Sequence, residues 1–566
     1  MSTTVRVLIL TDADGAYVAH NNRFAMTELL EALQADAGDG YKFVVTKAHR
    51  YSKAVFESRF PSRQQGADAG KDHFVFDSSF TVSLYDELWL FGVASSNPNG
   101  PYKDLSGYAL TPAETQLVQQ FMDAGGGVFA VGDHDDLGRD LCASLPRVRS
   151  MRRWQFDYVA AKADYSGYDE GSGDNPPVSG PYRHSTIVQD ADGHYEFDNQ
   201  SDDLPQTIRP VITTLVSGTP YLTQVESYPH PLLCGMDGVI DVLPDHMHEG
   251  QCQVPADLTG KYVSGKQTRD EYPSYLGQPL APQVVAWEDI AGRAAEGGFT
   301  DPGKSAGFDD NETLYGDTSG AIAAWDGQLV NAGRVVVDST FHHFFDVNIV
   351  GVSNDLTHGW AADEGQTKLL GLKNSPSPQA QAAYKAIRQY WRNIARWLAP
   401  ANLQISWSLQ WIKLAASDAR LREGVGIAHD LDGKMRLGAG MDKIMGAFLP
   451  PCAVLSISSV GVPNPLSVIL RHWFILMTLP DPGPEGPNWR LLPLSVSAIS
   501  QLALGVSALT VREASRKEGV SDAELVSLLR TANAHAMHQL FGAQLRGLER
   551  GVLNAAHWLK QVQQKQ

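Results

Sequence analysis

Three segments of this chain set histidine beside carboxylates at spacings that could do chemistry. The first is Gly125-Gly-Gly-Val-Phe-Ala-Val-Gly-Asp-His-Asp-Asp-Leu-Gly138, where Asp133, His134, Asp135 and Asp136 follow a short apolar run. Aspartate ahead of a helix caps its free amides, which accounts for at least one of the three. It does not account for His134, which with Asp133 forms a pair able to move a proton. The second is Leu243-Pro-Asp-His-Met-His-Glu249, preceded by His230-Pro-Leu-Leu-Cys-Gly-Met-Asp237. On an extended backbone His246 and His248 point the same way, and with Glu249 they offer the donors of a metal site. The third, Val335-Val-Val-Asp-Ser-Thr-Phe-His-His-Phe-Phe345, places His342 and His343 just after Asp338. A buried histidine bonded to backbone is the structural alternative there.

Imidazole with carboxylate suits zinc, manganese or iron. It equally suits metal-free proton transfer. The cofactor expected, if there is one, is a divalent transition metal, zinc or manganese. A fourth cluster, Arg183-His184 and Asp202-Asp203, supplies polar groups for contacting a substrate; its spacing is not that of an EF-hand.

These groups need a scaffold, and the apolar pattern describes one. Val5–Leu10 is a short apolar run ending in the polar turn Thr11-Asp-Ala-Asp-Gly15, as a buried parallel strand does. Helical spacing follows over 22–35, and strands are expected at 42–48, 87–92 and 128–131. Thr111-Pro-Ala-Glu114 has a capping residue, proline at the first helical position and glutamate where a capping box needs it. Gly125-Gly-Gly127 ends that helix. Strands alternating with helices predict right-handed crossovers and an open, mostly parallel, flavodoxin-like α/β sheet. Further strands are expected at 284–287 and 334–338. Ligands of such sheets sit at the carboxyl ends of the strands, where the three histidine segments fall.

The chain has 566 residues, which predicts more than one domain. Residues 160–205, rich in Asp, Gly, Ser and Pro, read as a surface insertion covering the cleft. A helix over 383–398 closes a first domain of residues 1–400. Residues 401–566 read as a mainly helical domain, with a second capping box at Ser521-Asp-Ala-Glu524 and helical spacing to Lys560. The net charge is −18. Residues 401–566 hold 16 Lys and Arg against 12 Asp and Glu, so the first 400 carry −22. That charge argues against a phosphate backbone as partner, so no nucleic acid is expected. A small-molecule substrate is, and the helical domain could also pair two copies of the chain. The apolar stretches 465–479 and 491–511 contain Arg471, His472, Pro493 and Gln501 and read as buried helices rather than membrane spans. Cys142, Cys234, Cys252 and Cys452 form no CxxC pair, so neither a thiolate zinc site nor a disulfide framework is expected. Free thiols and a first strand in place of a leader point to the cytoplasm.

The Gly125–Gly138 segment resembles the GGG–strand–GxH stretch of the trehalose-utilisation (ThuA-like) group within the class I glutamine-amidotransferase-like superfamily. The His230-Pro-Leu stretch with Glu249 resembles that group's His-Pro-Ile segment and later acidic position. Asn331-Ala-Gly-Arg-Val-Val-Val-Asp-Ser-Thr-Phe-His-His343 is similar to its final Gly-Arg-Val strand. The resemblance covers residues 5–350 and implies the flavodoxin-like fold and a sugar-like substrate. The nucleophilic cysteine of true glutamine amidotransferases is missing. Gly132-Asp133-His134 stands at the elbow, and Cys142 lies too far along. The expected activity is therefore hydrolysis of a small polar or carbohydrate-like substrate by Asp133, His134, His342 and His343, with His246, His248 and Glu249 as metal ligands. The competing expectation is a non-catalytic binding or assembly protein with a helical contact domain.

Overall fold

A computed structural model describes residues 2–19, 24–94, 108–132, 137–152, 154, 187–189, 195–197, 206–219, 222–244, 252–295, 308–350, 372–374, 378–421, 424, 428–462, 470, 490–492 and 495–563. Its centre is a parallel array of five strands. These are β1 (Thr3–Thr11), β2 (Tyr41–His49), β3 (Glu87–Phe91), β4 (Gly127–Val131) and, late in the chain, Val335–Asp338. Their spatial order is β2, β1, β3, β4, Val335–Asp338, all parallel. This is the flavodoxin-like order, whose direction reverses between β1 and β3. Val5, Val7, Leu8, Ile9 and Leu10 are fully buried, as a strand covered on both faces requires.

The sheet continues beyond Val335–Asp338 as an antiparallel wing. The wing holds β5 (Gln206–Pro210) and, after β6 (Ile212–Thr219) and β7 (Leu222–Pro229), which pair with each other in a separate sheet, the long partners β8 (Gln283–Ala295) and β9 (Phe308–Trp325). With β10 assigned to Val335–Asp338, the order runs β10, β9, β8, β5. The expected strand near 284–287 is the first third of β8. In the span expected as an insertion, the short strands Ile187–Gln189 and Tyr195–Phe197 pair with each other, and Gln189 meets Ala294 of β8.

Helices α1 (Thr27–Gln34), α2 (Lys53–Arg59), α3 (Pro112–Asp123), α4 (Arg139–Cys142) and α5 (Val148–Met151) follow strands of the first half. The expected capping box of α3 forms: Glu114 N donates to Thr111 Oγ1, and Thr111 N donates to Glu114. α6 (Pro378–Leu398) packs on α1 and holds both turns of it. Arg392 pairs with Asp39 at 2.8 Å and donates to the carbonyls of Ala32, Leu33 and Ala35, which the end of α1 leaves without helical partners. At the other end Asp346 accepts from the Thr27 and Glu28 amides.

The C-terminal region is mainly helical: α7 (Ala401–Ser417), α8 (Leu431–Met445), α9 (Pro451–Ser458), α10 (Val496–Ala514) and α11 (Asp522–Gln563). It shares one continuous apolar core with the sheet. Trp407 and Trp411 of α7 both donate their indole N–H to the Asp39 carbonyl. Glu226 of β7 accepts from the Val496 and Ser497 amides at the start of α10, and β11 (Arg490–Leu492) pairs with β6. A disulfide joins Cys234 to Cys452. This corrects the expectation of four free thiols: the two lie 218 residues apart, and no local spacing signals such a pair. Cys142 and Cys252 are free and buried. The argument from free thiols to the cytoplasm therefore loses half its residues. Among the described residues no helix is long and apolar enough to cross a membrane.

Candidate active site at the carboxyl edge of the sheet

The parallel strands end in register. His49, Thr11, Phe91, Val131 and Asp338 are successive partners across β2, β1, β3, β4 and β10. With neighbouring strands about 4.8 Å apart, Thr11 and Asp338 are separated by three spacings, roughly 14 Å. Two polar nodes stand at the ends of this row.

The first is at the β1/β3 crevice, where the strand order reverses. Asp12, only 2% exposed, follows the last residue of β1. Its Oδ1 accepts the amides of Val93 (2.6 Å) and Ala94 (3.0 Å) from the loop after β3. Burial pushes its carboxyl up to about 7; the two amides hold it down, Asp140 raises it and Arg50 lowers it. Asp12 thus titrates near neutrality, as an acid–base group should. Ala13 has φ +45°, a left-handed conformation costly for a residue with a Cβ. Gly15 follows because a Cβ there would lie 2.2 Å from Thr11 Oγ1. Asp14 pairs with Arg63 at 3.2 Å. The Tyr51 hydroxyl is buried and, among the described residues, has no hydrogen-bond partner; burial and the charge of Asp12 both raise its pKa.

The second node is centred on Asp338. Its Oδ1 lies 2.7 Å from His343 Nδ1, and its Oδ2 accepts the Tyr390 hydroxyl at 2.7 Å. A carboxylate can only accept, so this contact places the His343 proton on Nδ1 and the basic lone pair on Nε2. Arg152 donates to the Asp338 and Ser339 carbonyls, and Trp391 to the His343 carbonyl. His343, Asp338 and Tyr390 are all fully buried.

Between the nodes the backbone is drawn tight by glycine. A Cβ on Gly92 would lie 2.2 Å from Gly138 Cα, and one on Gly132 would lie 2.2 Å from the Leu137 carbonyl. The chain therefore leaves at Gly132 and returns at Leu137 to the same place. Trp154 packs over this platform, near both Gly132 and Gly138, with the Arg152 guanidinium 4.3 Å from its ring.

Of the eleven residues expected in catalytic, substrate-binding or metal-ligand roles, the structure describes two. His343 belongs to the Asp338 node. His342 is half-buried; its ring stacks on Phe341 and its amide donates to Thr340. Asp133, His134, Arg183, His184, Asp202, Asp203, His246, His248 and Glu249 lie outside the described residues. Among the described residues no three His, Cys, Asp or Glu side chains converge as metal ligands. Burial pushes both free thiols well up, so Cys142 and Cys252 remain protonated and are poor nucleophiles. Sequence reasoning missed Asp12 and Tyr390. Asp12 carried a usable signal, an Asp-x-Asp-Gly turn closing an apolar strand; Tyr390 sits within an ordinary amphipathic helix and carried none. Comparison with family models, with curated proteins and with solved structures finds no match.

Proposed function

We propose that the β1/β3 crevice binds a small, neutral, polar substrate and hydrolyses it by general acid–base catalysis through Asp12. The observation that carries this reading is a carboxyl buried at the point where the strand order reverses, held by two loop amides and pushed by burial up to about 7. Such a group can take a proton from water and return it to a leaving group. The acidic company of Asp12, including Asp14 and Asp140, favours a neutral substrate over an anion. The strand order and the ThuA-like resemblance support a class I glutamine-amidotransferase-like fold and a carbohydrate-like substrate. His343, its tautomer set by Asp338, is the proposed second proton carrier toward the far end of the row.

The test is turnover of a panel of neutral chromogenic glycosides, esters and amides by wild type and Asp12→Asn. Losing a general acid–base group costs about 100-fold or more; the expectation is turnover by wild type with a pH dependence near 7, lost in the variant. Equal turnover by both proteins would remove Asp12 from the reaction.

A second reading, a non-catalytic binding or assembly protein, is favoured by a specific observation. The described core histidines are tied down: His49 bonds Gly15 and Tyr51 backbone, His230 Nδ1 accepts the Leu232 amide, and His343 is held by Asp338. Burial lowers His49 to about 3, so it serves as a neutral strut. In that reading α11, with Leu545 and Leu553 exposed, is the contact surface.

A further inference from the structure

At the amino ends of the parallel strands, opposite the crevice, a cavity of about 50 Å³ lies between the sheet and the helical region. Tyr41, the first residue of β2, and Arg334, just before β10, reach it from the sheet. Arg396 reaches it from α6; Trp407, Cys452 and Ser456 close it from the helical side.

The arginines around it differ in how their charge is met. Arg334 pairs with Asp326 at 2.8 Å, donates to the Trp397 carbonyl and stacks on that ring. Arg392 pairs with Asp39. Arg396 has no carboxylate within ion-pair distance among the described residues; its guanidinium makes one hydrogen bond, to Asn393 at 3.2 Å, and lies 5.7 Å from the Trp407 ring. A guanidinium has five N–H donors in a fork that matches an oxyanion, and partly burying one without a paired carboxylate leaves donors to be met. Burial lowers its pKa; the charge of Asp39 opposes this and that of Arg392 adds to it. The ring of Tyr41 stacks 4.9 Å from Trp407. Its hydroxyl makes no hydrogen bond among the described residues, and burial raises its pKa, so it stays a donor.

We propose that this cavity binds a small oxyanion, of the carboxylate or phosphate type, against the Arg396 guanidinium and the Tyr41 hydroxyl. A water needs about 10–15 Å³ of such space, so the cavity has room for a group of a few heavy atoms. The sheet and α6 line one side of the cavity and the helical region the other, so the bound anion clamps the two together. This site is separate from the crevice and does not rest on the hydrolase reading.

The test titrates the full chain with acetate and with inorganic phosphate, against sodium chloride at matched ionic strength, by thermal shift and by calorimetry. Bound anion stabilises the fold by mass action, so wild type should show a saturable rise in Tm with one of the two, which also tells carboxylate from phosphate. Losing a charge-assisted hydrogen bond weakens binding by about tenfold or more, so Arg396→Gln should bind that much more weakly. Ser456→Leu fills the cavity while keeping the guanidinium; it should abolish binding, and it carries the test if Arg396→Gln does not fold. No saturable shift beyond chloride in wild type, or equal binding in wild type and Ser456→Leu, overturns the proposal.

Discussion

Asp338 stands between two buried donors, His343 on one carboxylate oxygen and the Tyr390 hydroxyl on the other, each at 2.7 Å. The carboxylate ends a strand of the sheet, the ring comes from the turn after it, and the hydroxyl comes from α6, 52 residues on. The node thus fastens the covering helix to the carboxyl edge. A hydrogen bond to a buried charge is worth about 1.5–3 kcal/mol, so Tyr390→Phe should destabilise by about that much. Asp338→Ala strands the His343 and Tyr390 donors, at about 1–3 kcal/mol each, and should cost more than Tyr390→Phe. Urea denaturation measures both; a Tyr390→Phe protein as stable as wild type would show that this bond contributes nothing.

The crevice makes a prediction about pH. A carboxyl raised to about 7 in the folded chain, against about 3.9 unfolded, means the folded state holds the extra proton between those values. The stability it contributes is fully present below about pH 4 and is lost as pH rises to about 7, by up to roughly 4 kcal/mol. Asp346, raised to about 6 mainly by burial, acts in the same direction, so the informative quantity is the difference between wild type and Asp12→Asn. The amide keeps an oxygen to accept from Val93 and Ala94. It should flatten the fall of Tm between pH 5 and 7.5 and match or exceed wild type above pH 7. Parallel Tm curves for the two proteins would mean that Asp12 carries an ordinary carboxyl.

How far the sequence could be read follows from the range of the forces involved. The α3 capping box was legible because its partners, Thr111 and Glu114, are three residues apart. The parallel strands were legible because a strand buried on both faces is apolar at every position, as Val7–Leu10 is. The antiparallel wing was not: β8 and β9 lack a two-residue hairpin turn, and only the first third of β8 reads as a buried run. At the crevice, the turn Thr11-Asp-Ala-Asp-Gly15 marks a strand end in the sequence but does not single out Asp12 within it. What distinguishes it is the amides of Val93 and Ala94, 81 and 82 residues away, which only the strand order brings to it. The Asp338–His343 pair was half legible, since the two are five residues apart, but Tyr390 enters from a helix of unremarkable pattern.

The bridge between Cys234 and Cys452 is the sharpest disagreement with the sequence reading, and counting thiols decides it. Cys234 follows the short turn Pro231–Leu233 beneath α6, and Cys452 lies in the first turn of α9. The bond therefore ties the helical region to the sheet across 218 residues of chain. Closing so long a loop in the unfolded chain is worth up to about 5 kcal/mol in the chain-entropy description, and measured gains fall below that. Denatured protein without reductant should show two reactive thiols, Cys142 and Cys252, and four after reduction. Cys452→Ser should lower the Tm of unreduced protein to that of reduced wild type and leave it insensitive to reductant. Four reactive thiols in the unreduced denatured chain would return all four cysteines to the free state, and the hold on α9 would then rest on its packing against α7 and α10.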